Sequence, residues 1–170
     1  MNIFVLDLDP VLAARAHCDK HVVKMPTESA QMLCTAIAHH APSVIESLPF
    51  KPSHGLHPCT RWVAASRSNF EWLAELAFAL VEEHGRRWPH TPAGRRGHAA
   101  GPVILACLDH AHRIPRGPIT DRPQCVPDTC KVPGDPVAAY RRAYAVEKAR
   151  FARWRAPAAS PPAWWPLSAA

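Results

Sequence analysis

The sequence predicts a mainly α, compact single-domain helical fold with proline-rich loops, and three observations carry that expectation. Apolar residues recur at intervals of three and four along several stretches, the period of a helix packed on one face. Alternation at period two, which a half-buried strand needs, is almost absent. Nineteen prolines divide the chain into helical stretches joined by stiff, irregular connections. At 170 residues the chain suits one domain, 1–170, able to bury roughly two-thirds of its unfolded surface.

The elements follow in order. Ile3 to Leu6 is a short apolar run, long enough for one short strand but without an identifiable partner strand. Asp9-Pro10 reads as an N-cap followed by the first helical residue. The helix it opens carries VLAARAHCDKHVVKM, and Pro26 either kinks it or starts a second helix. TESAQMLCTAIAHH continues the pattern with Ala30, Leu33, Cys34 and Ile37 as its apolar seam. Ala41 to Pro58 is a loop. Thr60 to about His84 reads as one long helix, with Trp62, Val63, Phe70, Leu73, Ala77, Leu80 and Val81 at helical spacing. Gly85 to His98 is a basic Gly/Pro-rich loop, Pro102 to about Ala111 a short helix, and Arg113 to Gly134 another loop. Asp135-Pro136 repeats the capping signature and opens a helix to about Arg155, and the tail 155–170 is expected to pack its tryptophans back on the domain.

Composition narrows the functional classes. No apolar run approaches the roughly 18 residues of a membrane span. The opening MNIFVLDLDP has no basic segment and reads as no signal peptide, so a cytoplasmic protein with reduced thiols at its six cysteines is expected. The net charge of +6, with eleven histidines besides, favours a polyanionic partner, nucleic acid or a phosphorylated substrate.

Candidate chemistry concentrates in HCDKHVVKM, His17 to Met25. On a continuous helix, His17, Lys20 or His21, Lys24 and Glu28 line one stripe, because residues three or four apart share a face. A lysine crowded by other cations is a candidate nucleophilic amine, since like charge favours the neutral form. Glu28, one turn beyond Lys24, suits a general acid/base, and Asp19 is a second carboxylate. The same stripe also reads as a solvated basic face or a phosphate-binding wall.

Two further stretches carry binding chemistry. In LHPCTRW, His57 and Cys59 precede a helix whose free N–H groups favour an anion, and Arg61 adds a fixed charge. YRRAYAVEKARFARWRA interleaves Arg141, Lys148 and other cations with aromatics, a pattern for phosphate contact and base stacking, or simply for a core face. His17 and His21 have a metal-compatible spacing, and HGLHPC and CVPDTC hold further donors. No CxxC pair exists, so neither metal nor cofactor is assigned, and zinc at Cys125/Cys130 or His57/Cys59 stays open.

The order of these motifs resembles the pyrimidine-dimer DNA glycosylases of the phage endonuclease V type. Those proteins carry a polar D-x-x-R-L-G-K-Q-x-x-E type stretch on an early helix and an N-H-P-x-x-x-x-W type turn opening a long one. HCDKHVVKMPTESAQML and LHPCTRWVAASRSNFEWL stand in those places here, and PPAWW is similar to the family's aromatic ending. The resemblance covers roughly residues 10–84 and the tail, and it extends to phage-encoded proteins that open MNIFVLD and carry HCDKHVVKM. It implies a compact helical fold, binding to DNA, and an amine that attacks C1′ of a damaged nucleotide, forms a Schiff base and cuts the strand by elimination. The family's amine is an α-amino group exposed by methionine removal. Met1-Asn2 departs from that pattern, because a residue as large as asparagine leaves methionine in place.

The expected function is therefore a phage-type DNA-processing enzyme acting on a pyrimidine lesion or nucleotide as a glycosylase/lyase. Lys24 or Lys20 supplies the amine, Glu28 and Asp19 the carboxylates, and His17, His21, His57, Arg61, Arg141 and Lys148 the substrate or phosphate contacts. The rival readings are a nucleotide- or base-modifying transferase, a non-catalytic DNA-binding accessory protein and a zinc-stabilised binding module.

Overall fold

A computed structural model describes residues 1–89 and 97–166. Among the described residues, six α-helices form the mainly α fold: α1 (Pro10–Ala16), α2 (Asp19–His40), α3 (Pro58–Ala65), α4 (Arg67–Arg87), α5 (Gly101–Leu108) and α6 (Pro136–Ala143). One turn of π-helix, Tyr144–Lys148, extends α6. No strand occurs among the described residues, and no described helix is long and apolar enough to cross a membrane. The Ile3–Leu6 run is buried but irregular rather than a strand.

Both capping signatures act as their sequences dictate. Asp9 accepts hydrogen bonds from the N–H groups of Val11 and Leu12, and Asp135 from that of Ala138. Pro26 lies inside the 22-residue α2 without ending it, so the seam of Ala30, Leu33, Cys34 and Ile37 continues on the same helix as Lys24. Helices α1, α2 and α3 pack against α4, burying Phe70, Leu73, Leu76 and Leu80.

Several boundaries differ from the sequence expectation, the first two for a tertiary reason. The helix begun at Pro10 stops at Ala16, and α2 starts afresh at Asp19. The fully buried Arg87 of α4 takes the freed carbonyls at this break, donating to His17 O at 2.8 Å and Arg15 O at 3.1 Å. Second, Ser66 splits the expected 60–84 helix, its extended backbone ending α3 and its hydroxyl capping α4 at Asn69 N. Pro118 O accepts a hydrogen bond from that same hydroxyl at 2.8 Å, fixing the corner against the proline-rich loop. Third, the last helix ends by Lys148 rather than near Arg155. Tyr140 and Tyr144, read from sequence as base-stacking or core aromatics, are core: both are fully buried.

Helix α4 runs on to Arg87, past the expected loop start at Gly85, and residues 90–96 of that loop lie outside the described residues. In the tail, Trp164 and Trp165 pack on the core, with Trp165 edge-on to Trp154 at 4.8 Å between centroids. Residues 167–170 also lie outside the description.

Candidate active site

Continuity of α2 through Pro26 brings part of the polar stripe together. Lys24 Nζ lies 2.7 Å from Glu28 Oε1, the pairing that a four-residue helical spacing permits. Lys20, His21, Lys24 and Glu28 then line one pocket of 380 Å³, shared with Lys148, Met1, Asn2, Phe4 and Phe151. Three lysine amines, the Met1 nitrogen and one carboxylate thus line a single space. Glu28 is 13% exposed while Lys24 is 64% exposed, so the carboxylate is shielded and the amine reaches it from the solvent side.

The second oxygen of Glu28 is anchored by the N-terminal segment. Asn2 N–H donates to Glu28 Oε2 at 3.2 Å, and the Met1 nitrogen lies 3.9 Å from the same oxygen. Asn2 is itself pinned: its Nδ2 donates to Cys125 O at 2.8 Å, and its Oδ1 accepts from Ile3 N at 2.8 Å. Phe4 has a backbone φ of 47°, a left-handed conformation that costs a non-glycine residue about 1–3 kcal/mol. Packing holds it there, with its ring stacked on His21 at 4.4 Å between centroids.

His21 is fixed from both sides. Tyr144 OH lies 2.7 Å from His21 Nδ1 and 3.4 Å from Cys18 Sγ. The shorter contact assigns the hydroxyl proton to Nδ1, which leaves the ring proton of a neutral His21 on Nε2. Burial, followed by the charges of His17, Lys148 and Lys24, lowers the His21 pKa to about 3, so the ring is neutral near neutral pH. Phe151 closes another side of the pocket, with Lys20 Nζ 4.9 Å from its ring centroid.

Other residues singled out in the sequence stand elsewhere. His17 leaves the stripe because α1 ends before it; it is fully buried, its Nδ1 donating to Ala13 O at 2.7 Å. Burial lowers its pKa to about 4, and its Nε2 has no hydrogen-bond partner. Asp19 turns away from Glu28 to pair with Arg87 at 3.0 Å, joining a buried network completed by Glu83. Arg141 donates to Leu6 O at 2.8 Å and pairs with Asp7 at 3.1 Å, ties that hold the N-terminal segment. Lys148 reaches the pocket and pairs with Glu147 at 3.2 Å.

Arg61 lines a separate, larger cavity of 720 Å³ with His39, His40, Thr60 and mostly apolar residues. That cavity has no lysine or carboxylate in its wall, so a lysine amine and a carboxylate meet in the smaller pocket and not in this one. His57 caps α3, its Nδ1 accepting from Cys59 N–H at 3.2 Å. Burial, then the positive Met1 nitrogen, lower its pKa, and Glu28 opposes them.

The roles of Met1, Asn2, Phe4 and Phe151 in building this pocket are not visible in the α2 motif. They reach it from segments remote in sequence, and only the apolar MNIF opening hints that the N-terminus is buried. No protein-family model, curated protein or solved structure matches this chain.

Proposed function

We propose that the chain is a DNA-processing enzyme that acts on a pyrimidine nucleotide or lesion as a glycosylase/lyase, with Lys24 as the attacking amine. One observation carries the reading: an amine and a shielded carboxylate meet at 2.7 Å in a pocket that also holds two further lysine amines. Aromatic walls at Phe4 and Phe151 suit a flat base, and the net charge of +6 suits a phosphate backbone. The motif resemblance of the α2 and α3 sequences points the same way.

The pocket volume falls within the range of small-ligand sites, so one extruded nucleotide is a reasonable occupant. Glu28 Oε1 accepts the proton that Lys24 sheds. The neutral amine attacks C1′, and the bond from C1′ to the base breaks with its electron pair on the base. Lys20 ammonium protonates the departing base. The C1′–O4′ bond then breaks, its electron pair and a proton from the attached nitrogen going to O4′, which opens the sugar ring and gives the protonated imine. Glu28, after returning its first proton to solvent, removes a proton from C2′, and the 3′ phosphate leaves as the strand breaks. Water then hydrolyses the imine and frees Lys24.

Borohydride trapping on labelled ultraviolet-damaged, abasic and undamaged duplexes tests this sequence of steps. The expected result is a covalent adduct on damaged and abasic DNA that disappears in Lys24→Ala and persists in an N-terminally blocked form. Loss of the adduct on N-terminal blocking alone would transfer the nucleophile to the Met1 nitrogen. No adduct on any duplex, with binding intact, would overturn the catalytic reading and leave a DNA-binding accessory protein or a base-modifying transferase.

A further inference from the structure

A second cluster of reactive side chains lies beside the pocket, and the proposed amine chemistry does not use it. His57 and Cys59 stand at the start of α3, with Cys125 in the proline-rich loop 66 positions beyond Cys59. One ring nitrogen of His57 and the two sulfurs all lie within 4.8 Å of one another, and the sulfurs are 3.5 Å apart. Tetrahedral zinc, with bonds of about 2.3 Å to sulfur and 2.0–2.1 Å to nitrogen, requires ligand separations of roughly 3.5–3.8 Å. The cluster is therefore near the edge lengths of such a site before any ion contracts it. Two thiolates and an imidazole form a soft, borderline donor set that suits zinc better than magnesium or calcium.

We propose that His57, Cys59 and Cys125 form a zinc(II) site with three protein ligands and a fourth position left for water or a substrate atom. The surroundings resemble a built second layer. Cys125 is held at both backbone groups: its N–H donates to Tyr140 OH at 3.2 Å, and its carbonyl accepts from Asn2 Nδ2 at 2.8 Å. Asn2 Oδ1 comes within 3.7 Å of Cys59 Sγ, but Tyr140 OH at 2.8 Å and Ile3 N at 2.8 Å already engage it, so it does not complete the ligand set.

Cys59 is buried at the second position of α3, and its thiol donates to Cys125 Sγ, so an ion between the two sulfurs displaces that proton. Cys125 and His57 are only half-buried, which leaves a path for the ion. Ligation through His57 Nδ1 exchanges its bond from Cys59 N–H for a metal bond and leaves the ring proton on Nε2. The thiol protons pass to solvent on binding. The buried Cys34–Cys107 pair, 3.4 Å apart, joins no such three-donor group among the described residues and serves as an internal control.

The test is a cobalt(II) titration of the reduced, metal-stripped full chain. Expected are one equivalent bound, sulfur-to-cobalt charge-transfer absorption with the strong visible bands of tetrahedral cobalt, and displacement of both by zinc. Cys125→Ser and His57→Ala should each abolish stoichiometric binding, while Cys107→Ala should retain it. Zinc should also slow alkylation of Cys125 in the unmutated protein, a measurement that does not depend on any variant folding. Absence of charge-transfer absorption, or its survival in both Cys125→Ser and His57→Ala, would overturn the site. Formation of a Cys59–Cys125 disulfide in the presence of excess zinc would overturn it in favour of a redox pair.

Discussion

Lowering the pH from 7 to 5 should strip this fold of a large part of its stability, and two buried histidines set the amount. Burial lowers the pKa of His17 to about 4 and that of His21 to about 3, against 6.5 for a free side chain. Between pH 6.5 and those values the unfolded chain binds protons that the folded chain refuses, so stability is intact above this window and falls as the pH drops through it. Integrating from pH 7 to pH 5 gives about 2 kcal/mol for each residue, on the order of 4 kcal/mol together. His57 and His84, also lowered by burial, add in the same direction. A loss of that size is a substantial fraction of the roughly 5–15 kcal/mol that holds a typical domain. Urea unfolding at the two pH values and equal ionic strength reads it directly, with the midpoint expected to fall by about 2 M for a typical slope. Carbon-13 shifts of the two imidazoles should show neutral rings in the folded protein down to pH 5. An unchanged urea midpoint, or rings that titrate near 6.5, would refute the argument.

Two stability predictions concern local structure. Arg87→Met should destabilise the fold by about 3–5 kcal/mol, because Glu83 and Asp19 lose their buried partner and the carbonyls closing α1 lose their donor; denaturant unfolding measures it. Asp9→Ala should cost about 1 kcal/mol through loss of the cap on α1, while Asp9→Asn should recover most of it in the same assay.

Part of the candidate site was legible because it depends on one helix. Lys20, Lys24 and Glu28 share a face wherever α2 is continuous, and Lys24–Glu28 is a pairing of fixed geometry at four residues' separation. Asp19 shows the limit of the same reasoning. Its side chain has a choice of partners, and the buried guanidinium of Arg87, 68 positions away, wins over the stripe. Arg141 is similar: its spacing among aromatics reads as a nucleic-acid contact, but Leu6 O and Asp7 claim it. The donor cluster was half legible for the same cause: sequence spacing joins His57 to Cys59 but pairs Cys125 with Cys130, whereas folding brings Cys125 to Cys59.

By itself the sequence determined what nearest neighbours along the chain can enforce. The helical class, the two Asp-Pro starts at Asp9 and Asp135, and the shared face of Lys24 and Glu28 all follow from backbone periodicity and local capping. Tertiary structure alone decided where helices broke and which polar groups met. The break at His17-Cys18 exists because Arg87 arrives to take its carbonyls, and the pocket closes because Arg141 and Asn2 bind the N-terminal segment down. A buried donor must find an acceptor wherever the fold offers one, and no spacing rule along the chain names that acceptor in advance.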